Sequence, residues 1–322
     1  MSVRIGFVGA GGIANAHLKN LEQIPDAKLV AFADVDAARA QNAADRFQAK
    51  AYTDYHEMLD KEQLDALYVC VPPFAHYDAE ILAAKKGIAL FVEKPVATTL
   101  AKAREIERAI ADAGVISSVG YHWRYFDTTD RMREILADRP VGMLLGYWIG
   151  GMPGVSWWRV LEQSGGQMVE QTTHIFDLAR FLCGEVEEVY AQYATRTLHE
   201  VPNFSVWDVG TATLRFSSGV VGQVATSCMV KKGGKVGLQV FARDVAMDMS
   251  SGRLSITWAD RDQPEVLEPQ LPATLHEDQV FVAAVKSGNA SAIRSSYADG
   301  VKTLAVTLAC NESAQSGRPV KV

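Results

Sequence analysis

The first 120 residues of the chain alternate short apolar runs with segments of helical spacing. The apolar runs cover 3–8, 28–33, 66–71, 88–92 and 115–119. Strands that are apolar throughout and separated by helices are typical of a parallel sheet that is covered on both faces. The pattern therefore predicts an α/β domain with a parallel sheet over residues 1–121.

A different pattern begins after Gly120. Strand-like runs lie near 186–196, 206–216, 220–230, 235–242, 244–250 and 252–259. Their connections are short and rich in turn residues, which is typical of antiparallel neighbours. We therefore expect residues 122–322 to form a second α/β domain with an open, mostly antiparallel sheet.

Three helix signals accompany these strands. The longest spans Gln167 to Cys183, and two more lie near 276–286 and 298–316. All three are assigned to the second domain by their position in the chain. For the last helix, packing back on the first domain is the open alternative.

Composition and charge narrow the class of protein. Hydrophobic residues make up 48% and charged residues 22%, as in ordinary globular proteins. The 32 basic and 38 acidic residues give a net charge of −6, which argues against nucleic acid as a partner. No apolar stretch approaches the roughly 18 residues of a membrane span. The sequence thus predicts no membrane partner and a small-molecule ligand.

Cysteine usage and the N-terminus bear on location. The four cysteines form no Cys-x-x-Cys pair, so a disulfide framework or a zinc knuckle is not expected. The first residues lack the basic and apolar regions of a signal peptide. We therefore expect a cytoplasmic protein.

A glycine-rich element follows the first apolar run. Residues 9–14 read Gly-Ala-Gly-Gly-Ile-Ala and open a helical segment. In that context Gly9 permits a tight turn, and Gly11 lets the backbone approach a pyrophosphate at a helix N-terminus. The element predicts a Rossmann domain that binds NAD, against the alternative of a plain glycine turn. The residues expected to meet the dinucleotide here are Gly9, Gly11, Gly12 and Ile13.

Asp34 ends the second apolar run. A carboxylate at this position can accept both hydrogen bonds of the adenosine ribose diol, and it repels a 2′-phosphate. The residue therefore favours NAD. NADP stays open as an alternative, because Arg39 lies in the next helix and could pair with a phosphate.

Two further segments leave strands at the edge where such sheets bind ligands. Pro72 follows one strand, and His76 is either a contact to the cofactor or the start of the next helix. Glu93 and Lys94 follow another strand. An ammonium group beside a substrate hydroxyl can polarise it or donate a proton, so Lys94 is a catalytic candidate. The alternative is a surface lysine at a strand end.

The 167–183 helix signal contains Glu170, His174 and Asp177. Their i, i+4 and i+7 spacing predicts a single helical face. One interpretation is that Glu170 orients His174, which accepts a proton from an alcohol. A solvated or structural helix face and a metal site are the alternatives. The spacing alone leaves all three open; it favours catalysis most and a metal least.

Aromatic and guanidinium side chains flank both candidate regions. Rings and forked donors of this kind suit a polyhydroxylated ligand, and buried packing at the domain junction is the alternative. The residues predicted to contact substrate are Lys94, Tyr121, Arg124, Trp158, Arg159, His174 and Asp177.

Taken together, the motifs resemble the Gfo/Idh/MocA family, named for glucose–fructose oxidoreductase, inositol dehydrogenase and a rhizopine-catabolism protein. The resemblance covers essentially the whole chain. The matching segments are 9–14, Pro72 with His76, Glu93-Lys94-Pro95, 165–177 and the C-terminal 312–320.

The resemblance implies a Rossmann domain, an α/β domain with an open sheet, and NAD(P)-dependent oxidation of a secondary hydroxyl on a sugar or cyclitol, or the reverse reduction. It also implies that Lys94 and His174 meet the reacting hydroxyl. Many members have Asp at the position of Glu170, so this chain has a longer carboxylate there. An NAD-assisted glycosidase and a non-catalytic NAD-bound sensor are the alternatives.

Assembly is predicted from two strands of the second domain. In 206–216 and 220–230, both alternating faces carry apolar or small residues. One face is expected to pack on helices of the same domain. Since large exposed apolar patches are uncommon on monomers, the other face predicts a homodimer or homotetramer.

Overall fold

The computed structural model describes residues 2–322. The chain forms two compact units. The first contains the chain up to His122 together with Pro272–Val301, and the second contains Trp123–Leu271 with Lys302–Val322. Each unit is built around one β-sheet.

The first unit has a six-stranded parallel sheet in the order β3-β2-β1-β4-β5-β6. Its strands are β1 (Val3–Val8), β2 (Ala27–Ala33), β3 (Lys50–Tyr52), β4 (Ala66–Val69), β5 (Ala89–Val92) and β6 (Ser117–Val119). This is the strand order of a Rossmann domain. The apolar runs predicted as strands correspond to β1, β2, β4, β5 and β6, whereas the short edge strand β3 was not predicted.

Helices connect these strands in the first unit. They are α1 (Gly12–Leu21), α2 (Ala37–Phe47), α3 (Tyr55–Lys61), α4 (Ala79–Lys85) and α5 (Leu100–Ala113). Side-chain caps fix several of their starts, since Asp36 accepts from the backbone at the start of α2, and Asp54 and Thr99 do the same for α3 and α5. The order of strands reverses between β1 and β4, so their carboxyl ends border the crevice where such folds bind ligands.

The second unit has a nine-stranded sheet in the order β14-β13-β12-β11-β7-β10-β9-β8-β15. Neighbouring strands are antiparallel, apart from β7 and β10, which are parallel. The strands are β7 (Val141–Ile149), β8 (Val186–Ala194), β9 (Val209–Phe216), β10 (Val221–Ser227), β11 (Lys235–Ala242), β12 (Val245–Ser250), β13 (Arg253–Trp258), β14 (Glu265–Leu267) and β15 (Val320–Lys321). The predicted α/β class with an open, mostly antiparallel second sheet is confirmed.

Helices α6 (Asp127–Leu136), α7 (Leu161–Ser164), α8 (Gln167–Glu170) and α9 (Thr173–Cys183) belong to the second unit. The predicted continuous helix from Gln167 to Cys183 is wrong, because α8 ends before α9 begins. Thr172 lies at the break, where its buried hydroxyl lies 2.8 Å from the hydroxyl of Thr226 on β10. This hydrogen bond fixes Thr172 to the sheet at the point where the helix restarts.

The C-terminal part of the chain is divided between the two units. Helix α10 (Ala273–Ser287) lies wholly in the first unit, and α11 (Tyr297–Ser316) starts there and continues into the second. The predicted second domain of 122–322 included α10, so the structure differs from that boundary. The reason is an aromatic row on the first sheet that α10 covers.

This aromatic row runs across four neighbouring strands. Phe32, Phe7, Tyr68 and Phe91 stack in sequence, with centroid distances of 5.6, 4.8 and 4.6 Å. Phe281 of α10 meets both Tyr68 and Phe91 edge-on at 5.5 Å. Because these rings are large and apolar, covering them contributes strongly to the stability of the first unit.

Helix α9 packs against the sheet of the second unit, and Gly146 of β7 allows its close approach. A Cβ at Gly146 would lie 2.5 Å from Cγ2 of Ile175 and 3.2 Å from Cγ2 of Val224. A glycine is therefore required at this point of the strand, directly beneath the helix that carries His174.

We predict that Gly146→Ala lowers the free energy of unfolding by about 1–3 kcal/mol, because the added methyl overpacks the contact with Ile175. Urea-induced unfolding measures the change. Gly142→Ala on the same strand is the matched control, since its Cβ would meet its nearest neighbour, the Phe241 carbonyl oxygen, at an ordinary 3.6 Å. Equal stability of the two variants would contradict the packing account.

Candidate active site

The glycine loop joins β1 to α1. Gly9 has φ of +89°, and a Cβ there would lie 2.3 Å from the carbonyl oxygen of Cys70. Only glycine fits this turn. At Gly11, by contrast, an added Cβ would meet no heavy atom of residues 2–322 within 4 Å, apart from its chain neighbours. The backbone at Gly11 is therefore bare and open to a ligand.

Helix α1 starts directly after this bare backbone, at Gly12. Within the described chain, no side chain caps its N-terminus. The N–H groups and the positive end of the helix dipole at Gly12 and Ile13 favour a bound pyrophosphate. The loop thus fits a dinucleotide, as the sequence predicted.

Asp34 follows β2 and is held in place by two backbone groups. Its Oδ2 accepts from the N–H of Ala10 at 2.8 Å, and its Oδ1 accepts from the N–H of Asp36 at 2.8 Å. Each carboxylate oxygen has a second lone pair that a ribose hydroxyl can use. Arg39, the residue that could favour NADP, lies 3.4 Å from Asp36 in an exposed ion pair.

Pro72 and His76 follow β4 at the same edge of the sheet. Pro73–Ala75 forms a single 3₁₀ turn, and His76 lies after it, before the start of α4. Its ring is buried, and Nδ1 is hydrogen bonded to Oε1 of Glu80. Among the described residues, Nε2 of His76 has no hydrogen-bond partner. The His76 ring is thus fixed through Nδ1, and its Nε2 can accept or donate a further hydrogen bond.

Glu93 and Lys94 directly follow β5, the strand next to β4 in the sheet. The Glu93 carboxylate is buried, and its Oε2 accepts from the backbone N–H of Lys94 at 3.1 Å. Its Oε1 lies 3.0 Å from Nε2 of His17 on α1. Burial alone would raise the pKa of Glu93, but the hydrogen bond and charge of His17 outweigh it and lower that pKa. The carboxylate beside Lys94 is therefore ionised.

His122 is a functional candidate that the sequence prediction left out. It follows β6 and Tyr121, and the charges of Glu93 and Lys94 act on it. Burial is the main cause that lowers its pKa to about 4, so the ring is neutral near pH 7. The rule that placed Lys94 at a strand end would also have found His122. Tyr121, which was predicted to contact substrate, is buried in the first unit.

His174 lies in the first turn of α9, within the second unit. It is buried, and its ring stacks on Trp148 of β7 at 5.8 Å between centroids. Glu170 is on α8, before the break, and its Oε2 accepts from Nε1 of Trp158 at 2.7 Å. Glu170 is therefore on a separate helix from His174 and Asp177, which lie three residues apart on α9. A solvated face is also excluded for the buried His174 and Asp177.

Asp177 and Arg124 form a buried ion pair inside the second unit. The guanidinium contacts both carboxylate oxygens, at 2.7 and 2.6 Å. The hydroxyl of Thr303 donates to Asp177 Oδ1 at 2.9 Å. A bidentate, desolvated pair of this kind holds structure together. Each residue thus has the other as a partner, and the predicted contact of both with substrate stays a prediction.

Trp158 and Arg159 lie in a 3₁₀ turn, Ser156–Arg159. Trp158 is buried and packs with Val206 and Cys228, so its indole serves to hold Glu170. Arg159 is half-buried and donates to the carbonyl of Pro202 at 3.3 Å. Tyr121, Arg124 and Trp158 are buried, so Arg159 is the most exposed of the predicted aromatic and guanidinium contacts to substrate.

Within residues 2–322, no group of three or more His, Cys, Asp or Glu side chains is arranged to hold a metal ion. No helix in the same range is long and apolar enough to cross a membrane.

The first unit is a Rossmann domain with an open glycine loop, the Asp34 carboxylate oriented for a ribose, and a lysine at a strand end. These features together are typical of an NAD-dependent oxidoreductase. Comparison with known families agrees. Residues 3–121 match the model described as "Oxidoreductase family, NAD-binding Rossmann fold", and residues 131–245 match the GFO/IDH/MocA C-terminal domain. The chain belongs to the Gfo/Idh/MocA family, so the predicted family, the enzyme class and NAD as cofactor are confirmed.

Relatives of known name match over nearly their whole length. A myo-inositol 2-dehydrogenase of Thermotoga maritima is 29% identical, covering 99% of this chain and 98% of the relative. A scyllo-inositol 2-dehydrogenase (NAD(+)) of Bacillus subtilis is 27% identical, covering 99% and 96%. A solved levoglucosan dehydrogenase, in complex with NADH and levoglucosan, shares the fold with a TM-score of 0.90 at 20% identity, over 100% of both chains.

We predict that Asp34→Ser weakens NADH binding about 10- to 100-fold and narrows the preference over NADPH, because it removes charge-assisted hydrogen bonds to the ribose. Fluorescence titration with NADH and NADPH gives both Kd values. Asp45→Ser, at an exposed position of α2 away from the loop, serves as the control. Tighter binding of NADPH than of NADH by the wild-type protein would contradict the role of Asp34.

Proposed function

We propose that the chain oxidises a secondary hydroxyl of a cyclitol or a cyclic sugar with NAD, or catalyses the reverse reduction. The observation that carries this proposal is the position of Lys94, at the carboxyl end of β5 in the same sheet as the dinucleotide loop. The names of the full-length relatives, which are inositol dehydrogenases, support the substrate class.

The proposed residues for the dinucleotide lie at one edge of the first sheet. Gly9, Gly11, Gly12 and Ile13 would hold the pyrophosphate, and Asp34 would hold the adenosine ribose. The nicotinamide side would be bordered by Pro72, His76, Glu93 and Lys94. When bound there, NAD supplies the acceptor for the hydride that leaves the substrate carbon.

The proton of the reacting hydroxyl requires a separate acceptor. We assign this role to His174, whose buried ring is held by stacking on Trp148. As the C–H bond breaks, the O–H proton passes to the imidazole and the C–O bond becomes a carbonyl. In this proposal Glu170 orients the His174 ring. Its own carboxylate is fixed by the Trp158 indole, one turn before α9.

Lys94 stabilises the negative charge that develops on the hydroxyl oxygen. A cation that meets the oxygen as its charge grows lowers the barrier more than it strengthens ground-state binding. The ionised Glu93 carboxylate, bonded to the Lys94 backbone, keeps the base of this side chain in place. In this proposal the two residues have separate tasks: Lys94 stabilises the developing charge, and His174 accepts the proton.

A panel of cyclitols and sugars, including myo-inositol, scyllo-inositol and levoglucosan, tests the activity. With NAD present, an accepted substrate produces free NADH, which is followed by absorbance. Cleavage of an aryl glycoside with NAD retained would instead indicate the glycosidase alternative. Tight NAD binding without turnover of any panel member would indicate the sensor.

We predict that Lys94→Met and His174→Phe each lower kcat by about 10²–10⁴-fold, as loss of acid–base assistance does. NADH affinity changes far less than kcat, because both variants leave the glycine loop and Asp34, the proposed contacts of the pyrophosphate and the ribose, unaltered. The double variant loses less than the product of the single losses, since residues that act as a unit are non-additive.

Lys86→Met is the matched control, because Lys86 pairs with Asp60 on the surface of the first unit. Steady-state kinetics on the accepted substrate measures all variants. A folded Lys94→Met protein that keeps most of its kcat would refute the assignment.

We propose further that the protein is a homodimer or homotetramer joined through the outer face of the nine-stranded sheet, the face opposite α9. Met143, Tyr190 and Val221 are exposed there by 39%, 38% and 51%. Met143 and Val221 lie side by side on the neighbouring strands β7 and β10, and Tyr190 lies on β8. Apolar side chains at this exposure favour burial against a second copy. The four free, buried cysteines support a reducing compartment such as the cytoplasm.

Light scattering at micromolar concentration tests the assembly. We expect a dimer or tetramer for the wild type, and dissociation when Val221→Asp and Met143→Asp are combined, because two charges would be buried in the interface. Val35→Asp, at an exposed apolar residue of the first unit, should leave the mass unchanged. A monomeric wild-type protein would contradict this proposal.

A further inference from the structure

His17, Asp278 and Glu93 form a buried charged cluster in the first unit, and of these only Glu93 has a part in the chemistry described so far. His17, in the middle of α1, has a fully buried ring. Its Nδ1 lies 2.9 and 3.0 Å from the two oxygens of Asp278 on α10, and its Nε2 lies 3.0 Å from Oε1 of Glu93. The imidazole therefore bridges two carboxylates from different elements.

The charge state of His17 follows from these contacts. Burial alone would lower its pKa, but Asp278 and Glu93 together outweigh burial and raise that pKa well above its ordinary value. The ring is an imidazolium at neutral pH, and its interaction with the carboxylates is lost only as the pH rises through the raised value. Other groups that face the cluster are Asn20, Tyr68, Cys70, Lys94, His122 and Glu277.

The cluster reaches the lysine through Glu93. One oxygen of this carboxylate faces His17, and the other accepts from the Lys94 backbone N–H. On a further side the carboxylate meets Gly120, where an added Cβ would lie 2.5 Å from Oε1. The carboxylate is thus enclosed between His17, Gly120 and the Lys94 backbone, with little room to rotate.

We propose that His17 is a positioning residue for Lys94: its imidazolium fixes the Glu93 carboxylate, which fixes the backbone from which the lysine side chain extends. The inference rests on the proposed function, because it assumes that Lys94 acts on the hydroxyl. His17 belongs to the helix that begins at the dinucleotide loop, so one rigid element supports both the cofactor site and the lysine.

The first test is His17→Gln, which keeps a hydrogen-bond donor near Glu93 and removes the charge. We expect kcat to fall about 10- to 100-fold, the size of effect that a displacement of about 1 Å produces. NADH Kd stays near wild type. The deuterium isotope effect on kcat, measured with substrate deuterated at the oxidised carbon, rises because hydride transfer becomes slower.

A double-variant cycle with Glu93→Gln distinguishes positioning from general destabilisation. In His17→Gln with Glu93→Gln, two neutral amides can hydrogen bond, so the loss in kcat is expected to be smaller than the product of the single losses. Rates are expressed per NADH-binding site, which removes any effect of a smaller folded fraction.

Tyr68→Phe is the matched control. It removes a buried hydroxyl that donates to Asp278 Oδ1 at 3.0 Å, but Tyr68 makes no hydrogen bond to Glu93 among the described residues. We expect this variant to lose stability and to keep its kcat and isotope effect. An equal loss of kcat in Tyr68→Phe and His17→Gln would overturn the proposal, as would unchanged kinetics in His17→Gln.

Gly120→Ala tests the same carboxylate from its other side and serves if His17→Gln fails to fold. The three atoms nearest to the added methyl all belong to the Glu93 carboxylate, which must move, and the same fall in kcat and rise in isotope effect are expected. Wild-type kinetics in Gly120→Ala would contradict the proposal. Activity retained by Lys94→Met would instead reject the proposed function, so the two failures are distinguishable.

Discussion

The ion pair between His17 and Asp278 joins residues 261 positions apart and binds helix α10 to helix α1 of the Rossmann domain. Both side chains are buried, and breaking such a pair by removing one partner costs about 3–5 kcal/mol. Helix α10 also brings Phe281 onto the aromatic row of the first sheet. The first unit is therefore complete only with a segment that follows most of the second unit in sequence.

The groups of the candidate site in the first unit are positioned by the ends of the parallel strands. The glycine loop, Asp34, Pro72 and Lys94 follow β1, β2, β4 and β5, and the carboxyl ends of parallel strands meet at one edge. Two carboxylates at this edge are also fixed by contacts from another element. Asp34 is held by Ala10, and Glu93 is held by His17. The polar groups of the site are thus oriented before any ligand arrives.

Much of the first unit could be predicted from the sequence, because a parallel sheet buried on both faces produces continuous apolar strands. Gly9 and Lys94 were found for the same reason, since strand ends mark the ligand edge. The pairing of His17 with Asp278 left no signal, because contacts between distant segments have no periodicity in sequence. Helix spacing also failed near Thr172, where a hydrogen bond to the neighbouring strand interrupts the helix.

Two predicted substrate residues show a different limit of sequence reasoning. Arg124 and Asp177 have the right chemistry for a polyol, but in the structure they bind each other. Residue type alone does not distinguish a ligand contact from a buried ion pair, since both use the same donors and acceptors. His122 is the opposite case, a candidate that residue type and position did not single out. Its place after β6 could be read from the sequence, but its proximity to Glu93 and Lys94 could not.

The most direct measurement of the central claim is the fate of the substrate hydrogen. A polyol accepted in the panel, deuterated at its carbinol carbons, is turned over with NAD, and the NADH formed is isolated for NMR. The account predicts one deuterium at nicotinamide C4 for each carbonyl produced, because the hydride moves directly between the two carbons. NADH without deuterium, or product formed with no carbonyl and no NADH released, would contradict it.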